Sequence, residues 1–377
     1  MNDSDDALLY WKKIDCDVMT HYVPENKYII TTLWPGGMNN VRLSFELSCA
    51  LAYCTNRTLV VPDTCFIAHC TTLYHALNLF FNFEDLGISV ILMTEFCKKE
   101  NIAMADVNES NKSFVVYNGQ NFDSCINFIN ICNNGANPNP KPKPKCFLKR
   151  TEIKWCENSK YLYFNWCLLG SFYSMIYDEN AHNANCVKMY VCKHVHYKSE
   201  IFEVAAKLVR WLKDVHGEYY SMHMRRGDFV TTPQFSSTCI PICDVMKNIA
   251  PHVPLQSCLY ISTNSNDLNE INEMKSKYKI ITFVDVLNGM NAVSINPAFY
   301  GIIEQIICSR GIKFISHPLS TFSTHVNRLR GYMPDVPDKF CYQTNSSERF
   351  NALIDQDWSG LLNVWSQEFS DGYTFES

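Results

Sequence analysis

The sequence predicts an α/β protein built from two Rossmann-like domains that face a cleft. Two stretches in which strand and helix patterns alternate predict this class, one over residues 27–63 and one over residues 199–332. With 377 residues, of which 47% are hydrophobic, the chain is also long enough for two cores. We therefore expect one domain over residues 1–198, a second over residues 199–345, and a C-terminal tail or helix over residues 346–377 that packs back on the first domain.

The first domain opens with a strand–helix–strand unit. KYIITTL at residues 27–33 predicts a strand, WPGGMNN follows as a glycine-containing turn, residues 41–54 have apolar side chains at helical spacing, and RTLVVPD predicts the next strand. Residues 111–192 are rich in Asn, Cys and aromatic side chains, which we interpret as an insertion. Within it, NPNPKPKPK at residues 137–145 predicts an exposed loop, because alternating prolines exclude helix and sheet.

The second domain repeats the alternation over a longer stretch. Helical patterns cover residues 200–217, 243–249, 267–277, 298–311 and 320–332, and strand patterns cover residues 219–224, 258–263, 279–286 and 312–316. Strands that alternate with helices pair in parallel, so this part predicts a doubly wound sheet. Two such domains facing a cleft form the GT-B arrangement of many glycosyltransferases, although a fold alone does not determine a function.

Charge and hydropathy exclude some classes of partner. The formal net charge is −5, so the chain lacks the basic excess typical of a nucleic-acid-binding protein. No apolar run reaches the roughly 18 residues that a membrane-spanning helix needs. The first residues, MNDSDDALLYWKK, are acidic where a signal peptide is basic and then apolar, so we expect no export signal in the chain as given.

The 18 cysteines leave the cellular compartment open. Such usage is typical of a disulfide-forming lumen, and Asn-x-Ser/Thr sequons at Asn2, Asn56, Asn108, Asn111 and Asn345 would be usable there after a signal has been trimmed. The alternative is a reducing cytoplasm with free buried thiols. No Cys-x-x-Cys occurs, and no cluster has zinc-ligand spacing, so we expect no metal site.

The stretch SMHMRRGDF at residues 221–229 is the first candidate site. A strand pattern ends there in Arg225, Arg226 and Asp228, with His223 just before them. Ligands of open α/β sheets bind at the carboxyl ends of the strands, so these side chains are placed to meet an anion. Because strand residues alternate sides, only one arginine can enter the cleft, where its guanidinium can hold a phosphate through two N–H groups. A structural ion pair is an equally simple interpretation of this motif alone.

A second candidate anion site lies in SHPLSTFSTHVNR. It places Ser320, Thr321 and Ser323 at a helix start, where unpaired backbone N–H groups and the helix dipole favour negative charge. Ser and Thr are also ordinary helix caps, which explains each of them taken singly. The chain has no Walker-type P-loop, and WPGGMNN does not complete a dinucleotide fingerprint. A P-loop nucleotidase and a nicotinamide oxidoreductase are therefore disfavoured.

Three segments, taken in order, resemble a known family. WPGGMNNVRLSFELSCALAYCTNRTLVVPD (34–63), SMHMRRGDF (221–229) and IIEQIICSRGIKFISHPLSTFSTHVNRLRGY (302–332) are similar to the three motif regions of the GDP-fucose protein O-fucosyltransferases. The resemblance implies a GT-B enzyme that moves L-fucose from GDP-β-L-fucose to a hydroxyl of a protein Ser or Thr, with inversion. It also implies that no metal or other cofactor is required and that the N-terminal domain lies on the acceptor side.

The resemblance assigns roles to residues position by position. Arg225 would hold the β-phosphate as it becomes the leaving group, and Asp228 would support it, so these two are the expected catalytic residues. Glu304 stands where the family usually has an Asp that contacts the nucleoside. The other expected donor-binding residues come from all three segments: Gly36, Gly37, Asn39, His223, Arg226, Ser320, Thr321 and Phe322.

Two questions stay open at the level of sequence. Some family members carry a Glu in the first glycine turn as the base that accepts the hydroxyl proton, whereas PGGMNN contains no carboxylate. The base is absent, supplied by the acceptor or a phosphate oxygen, or provided by an acid elsewhere. The motif HMRRGDF is also similar to the His-x-Arg-Arg-x-Asp motif of α1,2-fucosyltransferases, so a glycan acceptor is the alternative. A homologue that binds the GDP-sugar without turnover is a third reading.

Overall fold

The computed structural model describes residues 22–33, 36–70, 72–108, 111, 113–118, 147–149, 159–165, 175–177, 190–191, 193–265, 268–290, 294–318, 320–332, 338 and 340–351. The described residues divide into two compact units, one on either side of the boundary between Lys198 and Ser199. The Pro/Lys loop expected at residues 137–145 and most of the surrounding insertion lie outside the described residues. No helix within the described ranges has the length and apolar character needed to cross a membrane.

The N-terminal unit is built on a five-stranded parallel sheet. Its strands, in chain order, are β1 (Tyr28–Thr32), β2 (Gly36–Gly37), β3 (Thr58–Val61), β4 (Cys65–Ala68), β5 (Tyr74–His75), β6 (Val90–Leu92), β7 (Phe114–Asn118), β8 (Phe147–Lys149), β9 (Tyr161–Asn165) and β10 (Met175–Tyr177). The sheet has the order β6-β3-β1-β9-β7, while β2-β4-β5 form a small mixed sheet and β8 pairs with β10. The central strand β1 and its neighbour β3 are almost wholly buried, which explains why their sequences are continuous apolar runs.

Helix α1 (Met38–Thr55) joins β2 to β3, and α2 (Met93–Glu100) follows β6. α1 begins three residues before the sequence pattern predicts, because Gly37 in extended conformation already serves as its N-cap. It ends at Asn56, whose left-handed backbone (φ 52°) lets its N–H return to the carbonyl oxygens of Ala52 and Tyr53. The predicted strand–helix–strand unit is therefore present, with its glycines at the start of the helix.

The C-terminal unit is doubly wound. Its strands are β11 (Tyr220–Met224), β12 (Cys258–Thr263), β13 (Lys279–Thr282), β14 (Phe314–Ser316), β15 (Phe340–Gln343) and β16 (Ser346–Asn351). Its helices are α3 (Ser199–His216), α4 (Asp228–Thr231), α5 (Pro233–Ser236), α6 (Ile242–Ile249), α7 (Leu268–Lys275), α8 (Phe283–Gly289), α9 (Tyr300–Ser309) and α10 (Thr321–Tyr332). The sheet has the order β13-β12-β11-β14-β15-β16 and is parallel except for its last pair. This order brings the carboxyl ends of β11, β12 and β14 together.

One sequence-based element is wrong in type. KIITFVDV predicts a single strand, but the strand ends at Thr282 and a helix begins at Phe283. Thr282 caps this helix: its hydroxyl and the carboxylate of Asp285 form a reciprocal capping box. The apolar alternation continues across the boundary between Thr282 and Phe283, so it does not show where the strand ends. The Thr-x-x-Asp pattern is the signal that marks the start of the helix.

The start of the expected C-terminal tail belongs to the second unit. Residues 346–351 form β16, which pairs antiparallel with β15 at the edge of the C-terminal sheet. Asn248 on α6 also donates to the carbonyl oxygen of Thr344, and the ring of His252 contacts the carbonyl oxygen of Ser347. Residues 346–351 were expected to begin a tail or helix, but in the structure their backbone groups pair with those of β15. The residues after 351 lie outside the described part of the chain.

Candidate active site

The candidate site is built around the loop that follows β11. Strand β11 is flanked by β12 and β14, and all three run in parallel, so their carboxyl ends open at the same edge. The strand ends at Met224, and the two arginines follow it. His223 lies on β11, His317 directly follows β14, and α10 begins four residues later at Thr321.

Arg225 and Asp228 form a partly exposed ion pair. The Nη2 of Arg225 lies 2.6 Å from Oδ1 of Asp228, and their side chains are 17% and 48% exposed. The guanidinium carbon of Arg225 also lies 5.2 Å from the centre of the Phe229 ring. A guanidinium has five N–H donors, so an incoming phosphate can share this group with the carboxylate.

Arg226 has different partners and is buried. Its Nη2 donates to the carbonyl oxygen of Ile240 at 2.8 Å, and its Nε lies 3.0 Å from Oε1 of Glu270 on α7. Its backbone N–H donates to the side-chain oxygen of Asn264 at 2.8 Å. These contacts join the loop after β11 to the loop after β12 and to α7. Arg226 thus holds the structure of the loop, while Arg225 lies nearer to solvent.

Gly227 gives this loop its shape. Its backbone has φ 42° and ψ −117°, a conformation that residues with a Cβ rarely adopt, and a Cβ there would overlap the side-chain nitrogen of Asn264. The same Asn264 nitrogen lies 3.4 Å from Oδ1 of Asp228. The turn at Gly227 therefore lets Asn264 approach from β12 and turns Asp228 back towards Arg225.

Replacement of Gly227 by alanine is expected to lower both stability and turnover. The strained backbone costs of order 1–3 kcal/mol, and the clash with Asn264 displaces Asp228 from Arg225. Thermal unfolding and catalytic turnover measured on the same preparation check this. Gly217→Ala is the matched control, since Gly217 also has positive φ (77°) but has open space around its Cβ position and lies outside this loop. A G227A protein with the turnover of G217A would contradict a role for the turn.

Two buried histidines lie beside the arginine loop. The Nδ1 of His223 lies 2.8 Å from the hydroxyl oxygen of Ser323, and its ring stacks on Phe322 with centroids 4.3 Å apart. Burial, with His317 and Arg225 close by, holds the pKa of His223 well below its usual value. Burial, with Arg226 and Arg225 close by, lowers the pKa of His317 to about 3. Both imidazoles are therefore neutral near pH 7.

The start of α10 carries the second predicted anion site. Ser320 precedes the helix and is buried, and its carbonyl oxygen accepts from the backbone N–H and the hydroxyl of Thr324. Thr321 is the first helical residue, and Phe322 lies against His223. Thus Phe322 connects the start of α10 to β11 through His223, and Ser320 and Thr321 precede it directly in the chain. Ser323, also expected at this helix start, turns its hydroxyl inwards to His223.

Glu304 projects from α9 towards β12. Its Oε1 accepts from the hydroxyl of Tyr260 at 3.3 Å, and the hydroxyl of Ser262 is a further partner. The residue keeps some exposed surface, but protein atoms surround its carboxyl group, and this burial raises its pKa to about 7. Such a carboxyl changes charge near neutral pH, which matters for any ligand that needs the ionised form.

The glycine turn belongs to the N-terminal unit. Gly36 and Gly37 pair in parallel with Ile67 and Ala68, and Asn39 lies in the first turn of α1. A Cβ at Gly36 would approach the side chain of Asn40 to 2.7 Å, so this position requires a glycine unless Asn40 moves. The first turn of α1 contains no acidic residue. The roles of these three residues towards a donor sugar stay predictions.

Sequence reasoning missed four residues that shape the site. They are Asn264, which contacts the loop after β11, Glu270, which pairs with Arg226, His317, which lies beside His223, and Thr238, which contacts His317. Asn264 carried a usable signal, since it is a polar residue just after the β12 strand pattern at the same sheet edge as Arg225. Glu270 and Thr238 carried none, because their partners are distant in sequence.

A sequence model of one family covers most of the chain. The model for GDP-fucose protein O-fucosyltransferase matches residues 28–333. The chain belongs to this family. It is thus a GDP-fucose-dependent fucosyltransferase of the O-fucosyltransferase type. No curated protein shows significant sequence similarity to it.

Solved structures support the fold of this fucosyltransferase. POFUT1 in complex with GDP matches with a TM-score of 0.50 and 15% identity, over 85% of this chain and 99% of that one. POFUT1 in complex with GDP-fucose matches with a TM-score of 0.50 and 17% identity, over the same shares. NodZ from Bradyrhizobium is also similar, with a TM-score of 0.47, 13% identity, and coverage of 86% and 98%. The likeness to POFUT1 confirms the GT-B fold class that the sequence predicts.

The sequence predicts that this fucosyltransferase needs no metal ion. Within the described ranges, no group of three or more His, Cys, Asp or Glu side chains is arranged to hold a metal ion. Activity without a metal ion therefore stays a prediction. Nine cysteines of the described residues are free thiols, and burial raises the thiol pKa of two of them, Cys49 and Cys308, well above its usual value.

Proposed function

We propose that this fucosyltransferase moves L-fucose from GDP-β-L-fucose, with inversion, to the hydroxyl of a protein Ser or Thr. Family membership supports the donor and the reaction type. The observation that carries the proposal is the position of Arg225, whose partly exposed guanidinium lies at the carboxyl end of β11 beside a half-exposed carboxylate. POFUT1, whose fold the chain shares, has been solved with GDP and with GDP-fucose.

The proposed reaction exchanges two bonds at the anomeric carbon of fucose. The bond to the β-phosphate oxygen breaks, and a bond to the acceptor oxygen forms on the opposite face, so configuration inverts. Negative charge gathers on the departing diphosphate, and fixed donors aimed at that charge lower the barrier. Arg225 supplies a guanidinium there, and the first turn of α10 offers backbone N–H groups and the positive end of its dipole.

The proton of the acceptor hydroxyl needs a destination. Some relatives carry a Glu at the first glycine turn, but the first turn of α1 has no acidic residue here. We therefore expect the proton to pass to a phosphate oxygen of the departing GDP, to a group on the acceptor, or to an acid outside this turn. Asp228 stays paired with Arg225 and serves the leaving-group side.

The acceptor is the part of the proposal that most needs an experiment. The protein is incubated with GDP-fucose and three sets of acceptors: unfolded peptides, folded domains that contain exposed Ser and Thr, and oligosaccharides. We expect a deoxyhexose to be added to a protein Ser or Thr, detected by mass. Transfer to oligosaccharides alone would establish a glycan fucosyltransferase instead, and donor binding without any transfer would establish a binding homologue.

Donor recognition has a simpler test. GDP and GDP-fucose are expected to raise the melting temperature, while ATP and NAD are not, because only the guanine nucleotides satisfy both the phosphate and the base contacts. A ligand at about 100 times its Kd stabilises the folded state by roughly 2.7 kcal/mol. Differential scanning fluorimetry at equal ligand concentrations measures the difference. Equal stabilisation by ATP would rule out guanine recognition.

Turnover is expected to survive removal of divalent metal. The charge of the diphosphate is met in this proposal by Arg225 and by backbone N–H groups, so no cation is needed to neutralise the leaving group. Rates are compared before and after treatment with EDTA, with added Mn²⁺ or Mg²⁺ as the control. Loss of transfer that returns only with a metal ion would contradict the proposed leaving-group chemistry.

A further inference from the structure

The hydroxyl of Ser323 lies between two groups that constrain its hydrogen. Ser323 is fully buried in the first turn of α10. The backbone N–H of His317 donates to its oxygen at 3.0 Å, and Nδ1 of His223 lies 2.8 Å from the same oxygen. One short polar side chain thus connects the ends of β11 and β14 to the start of α10.

Donor and acceptor counting fixes the direction of the second bond. An amide can only donate, so the Ser323 oxygen accepts from His317 and its own hydrogen remains to be placed. The acceptor within reach among the described contacts is Nδ1 of His223. If Nδ1 carried a hydrogen instead, the buried Ser323 hydrogen would lose this acceptor, which is costly in a dry interior.

Packing also fixes the orientation of the His223 imidazole. It is buried, it stays neutral, and it stacks on Phe322 at an interplanar angle of 30°. A neutral imidazole that accepts at Nδ1 carries its hydrogen on Nε2. His223 and Arg225 are two residues apart at the end of β11, so the donor nitrogen belongs to the same sheet edge as the guanidinium.

We propose that Ser323 is a positioning residue that fixes His223 as the Nε2–H tautomer, so that His223 donates a hydrogen bond to the diphosphate of the donor. This inference rests on the proposed function, because it assumes that the diphosphate lies at Arg225. It gives Ser323 a role other than direct contact with the anion: it acts through His223, and its hydroxyl is not available to the ligand.

The tautomer of the neighbouring His317 is fixed independently of Ser323, so this residue provides an internal reference. The hydroxyl of Thr238 lies 2.6 Å from the carbonyl oxygen of Phe235, to which it donates. Thr238 must then accept from Nε2–H of His317, at 3.1 Å. His317 is therefore also an Nε2–H tautomer, but it is held through Nε2 by Thr238, whereas His223 is held through Nδ1 by Ser323.

Burial, together with the positive charges nearby, lowers the pKa of both histidines and keeps both rings neutral. Arg225 and Arg226 face His317, and Arg225 and His317 face His223. The carboxylates of Asp228 and Glu270 are paired with the arginines. Near neutral pH, the donating group of His223 is consequently an uncharged Nε2–H whose direction depends on Ser323.

The test combines ¹⁵N NMR of the histidine rings with kinetics on the full chain. In the wild type we expect a protonated Nε2 and an unprotonated Nδ1 for both His223 and His317. In Ser323→Ala we expect His223 to populate both tautomers while His317 is unchanged. Loss of such a supporting partner typically reduces activity by about 10–100-fold, and we expect this in kcat rather than in KM for GDP-fucose.

Two further variants keep the test decisive. Ser323→Thr retains the hydroxyl and is expected to restore the Nε2–H tautomer and most of kcat, which also separates the effect from packing if the alanine variant folds poorly. Ser309→Ala is the matched control, because Ser309 is equally buried and its hydroxyl donates to the preceding turn at Ile306 and not to His223. We expect S309A to leave the His223 tautomer and kcat unchanged.

Either of two results would overturn the inference: an Nδ1–H tautomer of His223 in the wild type, or S323A with mixed tautomers and wild-type kcat. Failure of this inference can be distinguished from failure of the proposed function. GDP binding, followed by calorimetry, tests whether the diphosphate is bound at all, whereas the tautomers are observed in the free protein.

Discussion

Arg225→Lys is expected to lower kcat for fucose transfer by about 10²–10³-fold, the effect typical of removing one oriented donor from a developing negative charge. Lysine keeps the positive charge but lacks the planar fork that engages two phosphate oxygens. The melting temperature is expected to change little, because Arg225 is partly exposed and its ion pair with Asp228 is open to solvent. Transfer rates with GDP-fucose and thermal unfolding are measured on the same variant.

Arg226→Lys is the matched comparison, and we expect the opposite balance. Arg226 is buried and donates to the carbonyl oxygen of Ile240 while it lies against Glu270. Lysine can keep one of these contacts, and a buried acceptor left unsatisfied costs roughly 1–3 kcal/mol. The variant should therefore lose stability and retain more turnover than Arg225→Lys. If Arg226→Lys is the inactive protein and Arg225→Lys keeps near-full rate, the leaving-group residue is wrongly assigned.

Binding of GDP-fucose is expected to weaken about 100-fold when the pH falls from about 8 to about 5. Burial raises the pKa of Glu304 to about 7, so the carboxyl is ionised above that pH and protonated below it. The family resemblance implies that Glu304 contacts the nucleoside, where an ionised carboxylate accepts from the N–H donors of guanine more strongly than the protonated acid does. Two pH units below its pKa, about 1% of the carboxyl is ionised, and affinity falls about tenfold per unit. Calorimetric titrations across this range measure the slope.

The choice of ligand and variant isolates Glu304 from other titrating groups. GDP-fucose is preferred to GDP because its diphosphate is esterified at both ends and keeps its charge over this range. Burial lowers the pKa of His317 to about 3, so this ring stays neutral over the range, and burial also holds the pKa of His223 well below its usual value. Glu304→Gln is the control, with weak binding that does not change with pH. A wild-type affinity that is constant across the range would show that Glu304 does not meet the base in its ionised form.

The sequence determined the fold class through local patterns. Buried parallel strands such as β1 and β3 are covered on both faces, so they appear as continuous apolar runs, and the helices between them keep their 3.6-residue spacing. The alternation was sufficient to predict two doubly wound units. It failed at Thr282, where a capping box ended the strand, and after residue 345, where an edge strand pairs with β15.

The sequence also identified which segments carry the candidate site, because polar residues that follow strand patterns meet at one sheet edge. It could not assign a function to each polar group. Arg225 and Arg226 are adjacent and chemically identical, and Ser320 and Ser323 are both helix-start serines. Only the tertiary structure distinguishes them: Arg226 and Ser323 are buried against partners from α7 and β11, while Arg225 remains partly exposed beside Asp228. Those partners are 44 to 100 residues away in the chain, where no local spacing indicates them. Contacts between distant segments therefore decide which polar groups are paired within the protein, and burial separates the two arginines only.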